Sequence, residues 1–191
     1  MVDVPKPRFD AEKFKELILY IASKCANMHY FGAVKLNKVL FFSDFLAYGL
    51  YGAPITGAVY IKLEKGPAPK ALVPIRNEMV EKGDAVVVPV RVFNLTQQRI
   101  VPKREPRVSI FAPEQLKLVD DVIEALCSST ADETSDLSHE RSAGWKLVGD
   151  REEIPYDSVF LSTQALSQDD INVGKNLAEK HGWLPRGNIA M

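Results

Sequence analysis

The stretch Val34-Lys-Leu-Asn-Lys-Val-Leu-Phe-Phe-Ser-Asp-Phe-Leu-Ala-Tyr48 carries the strongest structural signal in the chain. From Val39 onward it is apolar nearly all round, a pattern typical of a helix that is packed on several sides. A helix at the surface would show a single apolar stripe. We therefore predict a helix over Val34–Tyr48 at the centre of the hydrophobic core.

The segment before this helix predicts another helix, with one buried face. Asp10 can accept hydrogen bonds from the free amides of the first turn, and Phe9 and Phe14 occupy the two positions of a hydrophobic staple. The helix is expected to end near Asn27. The apolar residues that follow Asp10 have helical spacing: Phe14, Leu17, Ile18, Ile21 and Cys25.

The segment after the central helix predicts a loop that ends in a fixed turn. Residues 55–63 are typical of an irregular or weakly extended connection. Gly66-Pro67-Ala68-Pro69 forces a turn, because each proline fixes φ and restricts the residue before it. A short helix follows and stops at Gly83; Pro74 is either its first residue or lies after a separate turn.

The rest of the chain predicts one β-hairpin and three more helices. The β-branched residues 84–94 and the segment Gln97–Lys103 form the hairpin around Asn94-Leu-Thr. Pro113, the capping box at Thr130 and the acidic turn after Ser167 each begin a helix. The predicted fold class is helix-dominated α+β: a compact helical domain with one small antiparallel β-hairpin, spanning residues 1–191 as a single domain.

Composition indicates a globular protein. Of 191 residues, 46% are hydrophobic and 26% are charged, and no apolar run approaches the length that spans a bilayer. The N-terminus has no apolar core of a signal peptide, so we expect a cytoplasmic protein with no membrane partner, in which Cys25 and Cys127 are reduced core residues. Residues 1–108 carry a net charge of +7 and the remainder −8. This asymmetry favours either two faces with different partners or mutual attraction on folding.

Signals for catalysis or for a bound metal are weak. The chain has no glycine-rich phosphate loop, no CxxC and no HExxH pattern. Cys25 and His29 could present two metal ligands from one helix end, but no third ligand stands in a recognised spacing with them. Ser138 and His139 are adjacent and would point in different directions on a helix. We expect no catalytic residues, no metal and no cofactor, with His139 partly buried and hydrogen-bonded across the core.

A nucleic-acid-binding regulator is the alternative function. Arg99, Lys103, Arg104 and Arg107 concentrate positive charge along the second arm of the hairpin and its exit, where they could contact phosphates. The sequence pI is 6.3 and few aromatic residues interleave with these charges. Basic residues on an edge strand also discourage edge-to-edge aggregation, which makes a nucleic-acid partner the weaker interpretation.

Three runs in a fixed order resemble a known family. Lys35-Leu-Asn-Lys-Val-Leu-Phe-Phe-Ser-Asp-Phe45 comes first, followed by Ala53-Pro-Ile-Thr-Gly-Ala-Val-Tyr60 and Lys65-Gly-Pro-Ala-Pro69. Together they resemble the Panacea-domain family, the SocA-like antitoxins of bacterial and phage toxin–antitoxin systems. Later matches are Leu137-Ser-His139, Trp145 and Ile154-Pro-Tyr156. Two positions depart from the family pattern: Val59 stands where a Glu is usual, and Glu64-Lys65 stands where a Lys-His pair is usual.

The resemblance implies a helix-rich protein that neutralises a cognate toxin by direct protein–protein binding. Family members pair with chemically unrelated toxins, and some act as adaptors that hand the toxin to a protease. The implied partners are therefore a toxin and, in the adaptor case, a protease. Association of two copies of the chain stays open. The segment Val34–Pro69 is expected to be the functional centre.

Each matched residue has a structural and a functional interpretation. Asn37 and Asp44 share one polar line on the central helix and could bond to the loop Tyr60–Gly66, which makes an internal network the leading interpretation. Trp145 is expected to be a core anchor whose indole N–H needs one partner. The second interpretation assigns direct partner contacts to six residues: Lys35, Lys38, Tyr60, Lys65, Gly66 and Pro67.

Overall fold

A computed structural model describes residues 7–29, 31–92, 95–127, 129–161 and 167–180. The chain divides into two compact units, Met1–Leu161 and Ser162–Met191. The helices of the first unit are α1 (Ala11–Lys24), α2 (Ala33–Tyr51), α3 (Leu72–Glu81), α4 (Pro113–Cys127), α5 (Ala131–Arg141) and α6 (Ala143–Leu147). Its strands are β1 (Tyr60–Ile61), β2 (Ala68–Pro69), β3 (Ala85–Val92) and β4 (Leu95–Pro102), and it also has 3-10 turns at Val108–Ile110 and Tyr156–Phe160. The second unit contributes α7 (Gln168–Lys180). The single-domain assignment stays a prediction.

The central position predicted for α2 is confirmed. Its core residues Leu36, Leu40 and Phe41 are at most 2% exposed. The helix contacts α1, α4, α5, β2, β4 and the turn Tyr156–Phe160. Elements on several sides therefore cover a helix whose sequence has almost no amphipathic pattern.

The first helix begins as its sequence predicts. The Asp10 side chain accepts a hydrogen bond from the Lys13 amide at 2.9 Å. The rings of Phe9 and Phe14 meet edge to face with centroids 5.6 Å apart, which is the predicted staple. Helix α4 begins at Pro113, and α5 has the complete capping box between Thr130 and Glu133.

The helix-dominated α+β class is confirmed, with one strand pair that the sequence did not reveal. In the described residues, β3 pairs with β4 as the predicted hairpin, and β1 pairs with β2 in a second antiparallel sheet. The register of the hairpin pairs Val92 with Leu95, so Leu95 and Thr96 belong to the strand and not to the turn. Pro74 lies in the first turn of α3. Backbone amides in the first turn have no hydrogen-bond acceptor within the helix, so a proline there removes no helical hydrogen bond.

Candidate functional site

The loop between β1 and β2, residues 62–67, lies over the N-terminal half of α2. Its two ends are joined because Tyr60 pairs with Pro69 and Ile61 with Ala68. Ile154 also holds β1 in place, because its amide donates a hydrogen bond to the Tyr60 carbonyl at 2.8 Å. This short sheet fixes the ends of a loop that the resemblance identified as a motif.

Lys38 reaches from α2 into this loop. The side chain is 1% exposed, and its ammonium group donates to the carbonyl oxygens of Lys65 and Pro67, the latter at 3.2 Å. Burial lowers the pKa of Lys38 to about 8. A buried amine that bonds two backbone carbonyls satisfies loop acceptors that would otherwise lack donors. Lys38 is therefore an internal clamp on the loop.

Gly66 brings the backbone of the loop close to α2 and α5. Its φ is +90°, in the region that favours glycine. A Cβ at this position would lie 2.4 Å from Ser138 Oγ and 2.6 Å from Lys38 Nζ. Ser138 is fully buried and donates to the Ser135 carbonyl at 2.7 Å. The glycine of the Lys-Gly-Pro motif thus allows the backbone to touch α2 and α5.

Trp145 holds the other end of the loop. Its indole N–H donates to the Leu63 carbonyl at 3.1 Å, which is the partner that the sequence required. The Lys62 ammonium lies 4.4 Å from the Trp145 ring centroid and donates to the Val148 carbonyl at 2.9 Å. Cation–π and hydrogen-bond contacts therefore tie the loop to α6.

His139 supports Trp145 through stacking. The two rings are nearly parallel at 13°, with centroids 3.9 Å apart. Burial lowers the pKa of His139, and the nearby ammonium groups of Lys38 and Lys62 lower it further while Asp136 opposes them. Its buried Nε2 has no hydrogen-bond partner in the described part of the chain. Among the described residues, the predicted hydrogen bond across the core is therefore not formed at this nitrogen, and the ring is instead packed face to face with Trp145.

Asp44 organises the base of the same region. Its carboxylate is fully buried and accepts hydrogen bonds from the Thr56 amide at 2.7 Å, the Thr56 hydroxyl at 2.5 Å and the Tyr60 hydroxyl at 2.9 Å. Burial raises the pKa of Asp44, and the bonds from Thr56, Tyr60 and Tyr156 partly offset that rise. Tyr156 is 3.4 Å from the carboxylate and donates to the Ala58 carbonyl at 2.7 Å. The residues before the loop are thus hydrogen-bonded to α2.

The predicted polar line of Asn37 and Asp44 is only half formed. Asp44 bonds to Tyr60 as expected, whereas the buried Asn37 Oδ1 has no partner among the described residues. Lys38, one position along, is the side chain that reaches the loop. Two of the three lysines assigned to partner contacts therefore point inward: Lys38, and Lys35, which is 1% exposed and donates to the Ser129 carbonyl at 2.5 Å.

The six residues predicted to contact a partner fall into two groups. Only Lys65 is exposed; the buried ones are Lys35, Lys38, Tyr60, Gly66 and Pro67. Their partner-binding role stays a prediction. Sequence reasoning assigned no role to Thr56, Ser138 or Tyr156, although each lies in a run that carries the resemblance.

The arginines on the second arm of the hairpin and at its exit make ion pairs and hydrogen bonds within the fold. Arg104 pairs with Glu16 at 2.9 Å and with Asp84 at 2.6 Å, and Arg107 pairs with Glu16 at 3.0 Å. Burial favours the neutral form of Glu16, but the bonds from both arginines prevail and lower its pKa to about 2. Arg99 donates to the Ala26 carbonyl at 3.3 Å. The geometry therefore gives the nucleic-acid alternative no specific support at Arg99, Arg104 or Arg107; Lys103 is exposed.

The described residues also bear on metal binding and membrane insertion. They contain no cluster of three His, Cys, Asp or Glu side chains placed to bind one metal ion. None of the helices in the described ranges is long and apolar enough to cross a membrane. Cys25 is 1% exposed, and the side chain of Cys127 lies outside the described residues.

Comparison with known proteins identifies the motif-bearing region. No curated protein and no solved structure matches the chain. A family model described as antitoxin SocA-like, Panacea domain, matches residues 36–146. This match covers more than half of the chain and includes most of α2, the whole clamped loop and Trp145. The chain therefore belongs to the SocA-like antitoxin family that the Panacea domain defines.

Proposed function

We propose that this protein is an antitoxin that neutralises a cognate toxin by direct protein–protein binding. The observation that carries the proposal is the match of residues 36–146 to the SocA-like antitoxin family. The chemistry of the motif agrees with binding rather than catalysis. Lys38, Asp44 and Ser138 are at most 1% exposed, and each is used to hold backbone or side chains of the fold.

The clamped loop supports a rigid presentation of its neighbours. Lys38 and Trp145 bond the loop carbonyls from two helices, which leaves Glu64 and Lys65 as its exposed side chains. Holding a surface in its bound conformation before the partner arrives reduces the entropy lost on binding. We therefore assign the buried motif residues to the scaffold, and the partner contacts to the exposed side chains around it.

The adjacent reading frame provides the test. Its product is expected to arrest growth when expressed alone and to be harmless when this chain is coexpressed. The purified proteins should form a complex, with a Kd measured by titration calorimetry. A neighbour that is toxic but neither rescued nor bound by this chain contradicts the proposal.

One variant and one measurement of the toxin's lifetime separate binding from other mechanisms. His139→Ala is expected to lower the melting temperature and to keep neutralisation at a temperature where the variant is folded; loss of neutralisation in the folded variant would favour a chemical role for this histidine. The toxin's lifetime distinguishes sequestration from the adaptor mechanism. Direct inhibition leaves the toxin level constant in growing cells, whereas delivery to a protease lowers it.

A further inference from the structure

A groove opens one helical turn beyond the clamped loop. It lies between the C-terminal half of α2, the end of α5, the start of α6 and the turn Tyr156–Phe160, and its cavity has a volume of about 350 Å³. Phe42 and Leu46 line it on one side and Val159 on the other. Lys38 precedes Phe42 by four residues, so the groove continues the same line of α2 that holds the loop.

Large apolar side chains are exposed in the groove and next to it. Along α2, Phe42, Leu46 and Leu50 recur every fourth residue, and Leu46 and Leu50 are 38% and 65% exposed. Across the groove, Val159 packs at Gly49, where an added Cβ would lie 3.4 Å from it. The next residue, Phe160, is 66% exposed and lies next to the cavity lining, with its ring centroid 6.0 Å from that of Tyr48. Grouped apolar exposure of this kind marks an interaction surface rather than the scattered single residues that any protein shows.

Among the described residues, Arg141 is a cation in the groove without a counter-charge. Arg141, the last residue of α5, lines the same cavity as Phe42 and is exposed. It has no ion pair or hydrogen bond from its side chain within the described ranges, unlike Arg104 and Arg107, which follow the hairpin. A partner that buries this arginine would need to supply a carboxylate.

The walls of the groove are helical. Its lining residues belong to α2, α5, α6 and the 3-10 turn, so in the described structure no free strand edge borders it. Addition of an extended peptide as a further strand requires such an edge, whereas an amphipathic helix needs only an apolar trough with anchors every three or four residues. The spacing of Phe42, Leu46 and Leu50 fits the second mode.

We propose that this groove is the docking site for an amphipathic helix of the cognate toxin, with apolar residues along one face and an acidic residue placed to meet Arg141. The inference rests on the proposed antitoxin function and deepens it. Leu46 in the groove, with Leu50 and Phe160 next to it, would make the main apolar contacts of the interface. Arg141 would favour an apolar helix that carries an acidic residue over one that does not.

The test measures the affinity of the full chain for the purified product of the adjacent reading frame. Leu46→Glu combined with Leu50→Glu places two charges on the α2 bank and is expected to weaken binding about 100-fold. Arg141→Ala is expected to weaken it about 10-fold. The matched control is Val73→Glu on α3, where the side chain is 55% exposed and lies outside the groove; its Kd should stay within about threefold of the wild-type value.

The outcomes separate the two proposals. Failure of the wild-type chain to bind or neutralise its neighbour removes the antitoxin function, and the groove assignment with it. Wild-type binding that the folded double variant retains overturns the groove assignment alone. If the double variant does not fold, Phe160→Ser, next to the lining residue Val159, gives the same test. A wild-type dimer that the substitutions dissociate, with toxin binding unchanged, would instead assign the groove to a second copy of the chain.

Discussion

The N-terminal and C-terminal halves of α2 differ in what covers one line of residues, spaced four apart, along the helix. In the first half, Lys38 turns inward and is covered by the loop that it clamps. In the second half, Leu46 and Leu50 follow at four-residue spacing and remain exposed. The motif that identifies the family is therefore used mostly to build the scaffold, and the exposed apolar residues beyond it are better placed to meet a partner.

Four predictions follow this difference between the halves, in order of expected effect. The largest concerns Asp44. Asp44→Ala leaves the Thr56 amide, the Thr56 hydroxyl and the Tyr60 hydroxyl without their buried acceptor, and should lower the free energy of unfolding by about 4 kcal/mol in urea denaturation. Asp121→Ala, which removes an exposed carboxylate on α4, should cost less than about 0.5 kcal/mol. A loss at Asp44 no larger than at Asp121 would contradict the buried network.

Gly66→Ala tests how closely the loop approaches the helices. The added Cβ would meet Ser138 and Lys38, so the free energy of unfolding should fall by roughly 3 kcal/mol. The matched control is Gly52→Ala, which has a similar φ of +75° but nothing within 4 Å of an added Cβ. Strain alone should cost about 1 kcal/mol there. Equal losses at the two glycines would mean that the loop can move away from α2 at little cost.

Lys38 allows the clamp to be tested by pH. Its pKa is about 8 in the fold and 10.5 when unperturbed, so between these values the unfolded chain binds a proton that the folded chain has released. Lys38 therefore adds stability as the pH rises from 8 to 10.5, and this contribution is lost as the pH falls again. Relative to Lys38→Met, the wild-type free energy of unfolding should increase by about 2 kcal/mol across this window. If the difference in free energy of unfolding between the wild type and Lys38→Met does not change with pH, the Lys38 ammonium group is exposed to water and the buried contact is contradicted.

The smallest effect on stability is expected in the C-terminal half. Leu50→Glu replaces a side chain that is 65% exposed, so the free energy of unfolding should change by less than about 0.5 kcal/mol. Thermal and urea denaturation both measure it. A loss of several kcal/mol would show that Leu50 supports the fold and would remove the distinction between the two halves.

The sequence was sufficient for features that depend on neighbours along the chain. The apolar pattern from Val39 placed α2 at the centre, and the spacing of Phe9, Asp10 and Phe14 predicted the start of α1. These signals are local: a cap, a staple and a turn each involve residues within about one helical turn of each other. The proline-fixed turn at Gly66-Pro67 belongs to the same class.

Contacts between distant residues were less predictable. Asn37 and Lys38 are neighbours in the sequence, and helical periodicity does not tell which of them contacts the loop. The path of the loop decides that Lys38 reaches it while Asn37 does not. Tyr156 reaches Ala58 across 98 positions, and Trp145 reaches Leu63 across 82. The pairing of β1 with β2 was missed because two-residue strands have too few residues to show an alternating pattern.

Hydroxyl-radical footprinting with mass spectrometry tests most directly whether this chain binds its toxin through exposed side chains outside the buried motif. Oxidation of Leu46, Leu50 and Phe160 would be compared with and without the purified product of the adjacent reading frame, with Val73 as the internal control. The account predicts strong protection of Leu46, Leu50 and Phe160, unchanged oxidation of Val73 and an equal melting temperature for the oxidised and unoxidised free chain. A stable complex in which Leu50 and Phe160 oxidise as fast as in the free protein would contradict it.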